Sequence, residues 1–352
     1  MISVVMATFN GEKYIKKQLK SIISQTKKVD EIIIVDDCSS DNTVKLIEQF
    51  KNKYNQNLKL YINKVNIGYR KNFKKAISLC ESEYIFLCDQ DDIWYPTKVE
   101  EMLKIMTANK SIGILSSSFD VIDANDQVIS IKQKKHKSNN NLLGKFVEKN
   151  KVVPIKLEDI IFHNFCQGCS LLINKNNIKV FLDNYNCDIP HDWYINMIGA
   201  LNNQLYFYNK PLFQYRLHQS NTIGFSNNLS LKQKFTLDTR IDVPKQILTF
   251  INCLKELDEN YFEKNVKIKE IYLFIEQHII FMKKYQFFSI LLQNVNPMYK
   301  NIKSKKGRLL DFIFCIKETI KKIFQKNNKI FIANDDKKQI EGQSNEIKKY
   351  RD

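Results

Sequence analysis

The sequence predicts an α/β fold, a mostly parallel central sheet covered by helices on both faces, followed by a helical C-terminal extension. Short apolar runs rich in β-branched residues alternate with helical repeats as far as Cys88. Each run ends in a polar turn carrying Asp, Asn or Gly. From about Ser226 the pattern becomes helical throughout.

The elements follow in order. Ile2 to Ala7 reads as a strand, Thr8-Phe9-Asn10-Gly11 as its turn, and Tyr14, Ile15, Leu19, Ile22 and Ile23 mark the next helix. Glu31 to Val35 is a second strand. It breaks at Asp36-Asp37-Cys38-Ser39-Ser40-Asp41, where Ser40 or Asp41 is the expected helix cap. Leu58 to Ile62 and Tyr84 to Cys88 are further strands, separated by the turn Asn63 to Gly68 and a helix from Arg70 to Cys80. Ile112 to Ser118, Gln167 to Ile173 and Leu205 to Tyr208 read as strands, and Asp192 to Ala200 as a helix start. Lys132 to Lys151 reads as a polar surface loop. Ligands of such sheets bind beyond the carboxyl ends of the strands, where the polar motifs lie.

With 352 residues, 43% hydrophobic and 26% charged, the chain can bury one large core and a smaller helical appendage. The formal charge of +17 calls for an anionic partner, but roughly half of the excess lies from Lys300 onward, away from the N-terminal turns. No zinc-finger, RNP or KH pattern supports sequence-specific nucleic-acid binding. The eight cysteines sit mostly in apolar surroundings and read as reduced core residues. Cys166 and Cys169 form a CxxC near His163, yet no second ligand pair follows to complete a zinc site. No export signal opens the chain and no apolar run reaches the roughly 18 residues of a spanning helix, so the expected location is cytoplasmic.

The most informative stretch is Phe86-Leu87-Cys88-Asp89-Gln90-Asp91-Asp92-Ile93-Trp94, where three carboxylates crowd directly behind an apolar strand. Like charges at such spacing repel and raise one another's pKa, and a divalent cation with a taste for hard oxygen ligands, Mg²⁺ or Mn²⁺, relieves this.

Asp89-Gln90-Asp91 resembles the DxD motif of GT-A glycosyltransferases, and its Asp-Gln-Asp-Asp-Ile-Trp setting is similar to bacterial family 2 members of the rhamnosyltransferase-like subgroup. Other segments match in order. Val4 to Tyr14 resembles the opening strand and nucleotide loop of that family, which implies Thr8, Phe9, Asn10 and Glu12 around base and ribose. Ile34 to Thr43 resembles its second acidic turn, in which Asp37 would accept a hydrogen bond from a pyrimidine N–H. Asn66-Ile67-Gly68-Tyr69-Arg70 resembles the third donor loop, placing Asn66 and Gly68 with Asp89 and Gln90 at the nucleotide. Asn66 and Gly68 also suit a plain turn.

Gln167-Gly168-Cys169-Ser170 resembles the acceptor-side strand, and His191-Asp192-Trp193 stands where the family carries its catalytic acid pair. The resemblance makes Asp192 the general base, with inversion at the anomeric carbon. Here His191 departs from the usual first acid, which leaves open whether it touches the acceptor, holds Asp192 or is structural. Tyr215-Arg216-Leu217-His218-Gln219-Ser220-Asn221 resembles the closing segment. The implied metal set is Asp91 with Asp89, Asp92 and His218; Trp94, Gly168, Cys169, His191, Trp193 and Arg216 are implied near acceptor or diphosphate.

The resemblance therefore implies an inverting, metal-dependent transferase for a UDP- or dTDP-linked sugar and a saccharide acceptor, in surface polysaccharide (O-antigen or capsule) assembly. A nucleotidyltransferase on a similar sheet is the closest rival, although such enzymes often carry a Gly-rich basic first loop and only Gly11 stands near the first turn. Residues 1–225 form the expected catalytic domain, 226–333 a helical region, and 334–352 a charged tail expected to be disordered. Within the helical region, near 303–326, Leu309, Phe312, Ile313, Ile316, Ile320, Ile323 and Phe324 recur at helical spacing among lysines. That stripe suits contact with an anionic membrane surface, or docking onto the catalytic domain or a second subunit.

Overall fold

The computed structural model describes residues 1–130, 147–218, 233 and 235–325. Residues 132–146 of the predicted loop, the end of the motif at 219–221 and the tail at 334–352 lie outside the described residues. The chain divides into two units, Met1–Asn227 with Thr249–Glu259, and Asn228–Leu248 with Asn260–Asp352. A single cut in the sequence near 226 does not reproduce this, because a stretch inside one continuous helix, Leu237–Leu257, returns to the first unit.

The first unit opens with β1 (Ile2–Thr8), α1 (Ile15–Ile23), β2 (Glu31–Asp36), α2 (Thr43–Tyr54), β3 (Leu58–Ile62), α3 (Tyr69–Ser78) and β4 (Tyr84–Cys88). β1 pairs in parallel with both β2 and β4, and β3 extends the sheet beyond β2. Burial explains the sequence pattern: β1, β2 and β4 are covered on both faces, while β3, at the edge, is largely exposed beyond Leu58. α1 seals one face with Ile15, Leu19 and Ile22, spaced by four and three residues; α3 inserts Phe73, Ala76 and Ile77 in the same way.

The second half departs from the prediction of a mostly parallel sheet. Among the described residues one nine-stranded sheet runs β3-β2-β1-β4-β8-β6-β9-β5, with β7 on β9. Here β5 is Ile93–Trp94, α4 Lys98–Ala108, β6 Ile114–Ile122, β7 Val152–Pro154, α5 Leu157–Ile160, β8 Leu171–Asn174, α6 Lys175–Asn184 and β9 Leu205–Arg216. β8 is antiparallel to both β4 and β6, whereas β9 is parallel to β6 and antiparallel to β5 and β7. An apolar run reports burial but not chain direction, so a mixed sheet was not legible. The expected strand from Gln167 begins instead as a 3₁₀ turn over Gly168–Ser170, and the short strand at Leu205 continues to Arg216. α7 (His191–Leu201) starts one residue before the predicted position. At α2 the N-cap position falls on Asn42, not on Ser40 or Asp41, although Asp41 accepts from the Thr43 backbone N–H at 2.9 Å.

The second unit is helical, with α8 (Leu237–Leu257, shared with the first unit), α9 (Glu259–Lys264), α10 (Val266–Lys284), α11 (Phe287–Gln293), α12 (Pro297–Ile302) and α13 (305–325). Asn265 caps α10 through the Ile268 N–H, and Asn296 with Pro297 opens α12. Its apolar core includes Ile271, Ile275, Met282, Phe314 and Cys315. A charged centre accompanies it. Asp311, fully buried, accepts from Arg240, Lys303 and the Tyr299 hydroxyl. No described helix is long and apolar enough to cross a membrane.

Candidate active site

The carboxyl ends of β1, β2 and β4 open onto a cleft of about 1150 Å³, also lined from α3, the 167–168 turn, the start of α7 and the end of β9. Its volume and its mix of polar and apolar lining residues are those of a small-ligand site.

On one side stand the first three turns. Thr8 donates to Asp36 at 2.8 Å, and Asp36 also accepts from the Ser39 N–H and hydroxyl, so a carboxylate absent from the expected set braces the second turn. Asp37 accepts from the backbone N–H groups of Ile67 (2.9 Å) and Gly68 (2.8 Å) and from Asn63 (2.8 Å). Three donors leave lone pairs for a ligand, and they fix the third loop against the second. Gly68 has φ +81°, a conformation that favours glycine. Phe9 stands exposed at the lip, Asn10 accepts from the Ser40 N–H at 2.9 Å, and Asn66 also lines the cleft.

Gln90 makes a paired amide contact with the Phe9 backbone, accepting from its N–H at 2.9 Å and donating to its carbonyl at 3.0 Å. It thereby ties the β1 turn to the acidic loop. A Cβ at Gly11 would fall 2.2 Å from the Gln90 oxygen, so glycine at position 11 makes room for the clamp. Glu12 does not reach the cleft: its carboxylate accepts from the Asn42 N–H and amide, capping α2. Its predicted nucleotide role is corrected accordingly, because the helix start uses it.

Below the turns lies the acidic loop. Asp91 pairs with His218 Nε2 at 2.7 Å, and both line the cleft with Asp89. Burial, then the Asp91 carboxylate beside it, pushes Asp89 up to about 7. Asp92 is buried; its Oδ1 accepts from the Arg216 N–H at 3.1 Å, and its Oδ2 has no hydrogen-bond partner. Desolvation and the two neighbouring acids drive Asp92 well above the carboxylate range. Carboxylates so crowded, with an orphaned oxygen, fit a divalent cation; Asp89, Asp91 and His218 are the groups that face the cleft. A ligand atom of Cys169 lies within 4.8 Å of Asp89 and Asp92, but burial raises its thiol far above neutrality, and a thiol is no ligand for a hard cation.

Behind the loop sits Lys98, fully buried and missed by sequence reasoning. Its ammonium donates to the Cys169 carbonyl at 2.6 Å between the rings of Trp94 and Phe213, and burial lowers it to about 8. Arg216 is equally buried. It donates to the carbonyls of Asp91 (2.7 Å) and Asp123 (2.9 Å) and pairs with Asp126, so it shapes the loop and does not face a diphosphate.

On the other side is Asp192, in the first turn of α7, where the helix N-terminus favours a carboxylate. It accepts from Asn164 (2.9 Å), the Gly168 N–H (3.2 Å) and the Trp193 N–H (2.9 Å), yet burial still moves it up to about 6. Asn196 holds Asn164 in turn, at 2.8 Å. His191 stacks on Phe73 with centroids 4.0 Å apart, lies over Gly168, and is lowered by burial, then by Arg70, to about 3. It is therefore a neutral imidazole.

Three further expectations are corrected. Trp94 packs on Phe86, Trp193 donates to the Ile160 carbonyl at 2.9 Å and stacks on Phe250, and Cys169 points into the core. All three are buried because the apolar residues flanking a cleft motif form the floor beneath it. Of the predicted set, Thr8, Phe9, Asn10, Asp37, Asn66, Gly68, Asp89, Gln90, Asp91, Gly168, His191, Asp192 and His218 line the cleft. Asp36, Gly11, Lys98, Asn164 and Asn196 were missed, being supports whose partners lie far off in sequence.

The family model described as "Glycosyl transferase family 2" matches residues 3–174. The chain is 34% identical over 244 residues to a protein of Shigella flexneri named dTDP-rhamnosyl transferase RfbG, covering 65% of this chain and 76% of that one. It is 25% identical over 235 residues to an uncharacterized glycosyltransferase of Haemophilus influenzae, covering 65% and 69%. Among solved structures, S. aureus TarS 1–349 in complex with UDP-GlcNAc superposes with a TM-score of 0.53 at 17% identity, over 88% of this chain and 90% of that one. That likeness concerns the fold, which is of the GT-A type. By its match to the family model and to a relative of which it spans about three quarters, the chain belongs to glycosyl transferase family 2.

Proposed function

We propose that this chain moves a sugar from a pyrimidine nucleoside diphosphate, UDP- or dTDP-linked, to a hydroxyl of a saccharide acceptor, with inversion. The observation that carries this is the sharing of one cleft by the Asp37 turn, the Asp89/Asp91/His218 group and Asp192. The names of similar proteins, a dTDP-rhamnosyl transferase and a TarS complex with UDP-GlcNAc, support the two nucleotide classes.

In this reading Phe9 covers the base, Asp37 accepts from its imide N–H, and the Gln90 clamp holds the lip in place. Asp192, held ionised by its three donors, takes the acceptor proton as the acceptor oxygen bonds to the anomeric carbon. The bond from that carbon to the diphosphate oxygen breaks in the same displacement, and the nucleoside diphosphate departs with the electron pair. A Mn²⁺ or Mg²⁺ ion held by Asp89, Asp91 and His218 would supply charge stabilisation for the leaving diphosphate. Asp92 and Arg216 keep the loop in shape beneath it. The acceptor class is a saccharide of surface polysaccharide assembly carried on a lipid, which places the protein peripherally on the inner face of the cell membrane.

Calorimetry with UDP, dTDP, GDP and ADP, with and without Mn²⁺, tests the donor side. One pyrimidine nucleotide should bind in a metal-enhanced way, and Asp91→Ala should abolish the enhancement; metal-independent or absent binding would overturn the reading. Gln90→Ala should weaken that nucleotide about tenfold, roughly 1.4 kcal/mol, through loss of the clamp on Phe9. An unchanged Kd would show that the lip needs no clamp.

A further inference from the structure

α11 and the residues after it leave large apolar side chains in solvent: Phe288 is 68% exposed, Leu292 71% and Val295 84%. α13 does the same with Leu309, Ile313, Ile320, Ile323 and Phe324, although its inner face is filled by Arg308, Asp311, Phe314 and Cys315. Its packed side mixes charged and apolar residues, and its other side is apolar and open to solvent.

The two exposed sets adjoin. Arg308 donates to the Asn294 carbonyl at 3.2 Å, the Phe287 ring meets Phe312 edge-on at 6.3 Å, and Thr319 donates to the Tyr285 carbonyl at 3.0 Å. Those pairings run in opposite chain directions, so the 285–294 segment lies antiparallel along α13. Phe312 and Ile316, half-buried, carry the apolar surface from one helix to the other. A continuous patch of this breadth is uncommon on a solitary soluble surface.

Charge says what covers it. Between Pro297 and Gln325 there are eight Lys and Arg against two acids, of which Asp311 is buried and Glu318 pairs with Lys321. Lys306, Lys317 and Lys321 are exposed and lie three or four residues from stripe positions, hence beside them on the helix surface. A second copy would bring two such lysine borders together without counter-charge. An anionic bilayer offers acyl chains to the patch and phosphates to its border.

We propose that α11 and α13 form a monotopic anchor in the headgroup layer of an anionic membrane, with Phe288, Leu292 and Val295 entering the acyl boundary. This rests on the peripheral placement proposed above and names its surface and lipid; α11 carried no signal in the sequence pattern. The test is flotation of the full chain with vesicles of phosphatidylcholine alone or mixed with phosphatidylglycerol, with UDP and dTDP calorimetry on the same protein without vesicles. The chain should float with the mixed vesicles and not with phosphatidylcholine alone. Phe288→Ser with Leu292→Ser should cut the bound fraction about tenfold or more, with the melting curve and nucleotide affinity unchanged, since both side chains are exposed. Lys306→Glu, Lys317→Glu and Lys321→Glu together should abolish flotation at moderate salt. Three results overturn the anchor: a wild type that does not float, a double Ser variant that floats as well as wild type, or a wild-type dimer in light scattering that the double variant dissociates. Since calorimetry needs no vesicles, failure of the anchor and failure of the donor reading are read separately.

Discussion

Replacing Asp192 with Asn is expected to lower kcat about a thousandfold, the contribution of a positioned general base, while metal-enhanced nucleotide affinity stays as in the wild type. The carboxylate sits with Gly168 and His191 in the cleft, and it is the acid in the first turn of α7. The pH profile separates a base from a merely structural acid. Burial moves Asp192 up to about 6, and only its ionised form takes a proton. kcat/KM of the wild type should therefore fall as pH drops below about 7, through Asp89 and Asp192 together, and Asp192→Asn should lose the part of that fall centred near pH 6. Asn turns one accepting oxygen into a donor facing Asn164, Gly168 or Trp193, so a local stability loss of about 1–3 kcal/mol is also expected. A variant with full activity and the same acid limb would remove Asp192 from the mechanism.

The largest stability effect is expected at Asp311, the fully buried acid of the helical unit. Arg240, Lys303 and Tyr299 all donate to it, and His278 Nε2 lies 3.8 Å away. Asp311→Ala would leave a guanidinium and an ammonium buried without their counter-ion, a loss of about 3–5 kcal/mol. Denaturant unfolding followed by far-UV circular dichroism should show the helical unit melting early, with nucleotide binding by the first unit kept. Asp311→Asn retains shape but not charge and should lie close to the Ala variant if charge is what matters. A shift within about 0.5 kcal/mol for both would show the network to be dispensable.

The sequence by itself determined the alternation of strands and helices in the first half, since each element there is local and its burial period is written along the chain. It also determined the order of the chemical motifs. Carboxylates that directly follow a buried strand lie at the strand's end, which is why Asp37, Asp89 and Asp91 could be placed there from the sequence, although Asp92 in the same loop turns inward. What only the tertiary structure decided was everything that depends on partners far off in sequence. The antiparallel β8, the return of 249–259 to the first unit and the Gln90 clamp on Phe9 across 81 positions are of this kind. So are the fates of motif neighbours: Arg216, Trp94 and Trp193 carry the same chemistry whether they face a ligand or a core. In α13 periodicity announced an apolar stripe, but which residues pack and which meet solvent was settled by α10 and α11 lying against it. A stripe fixes the direction a side chain takes from its own helix, and only the neighbouring elements determine what it meets there.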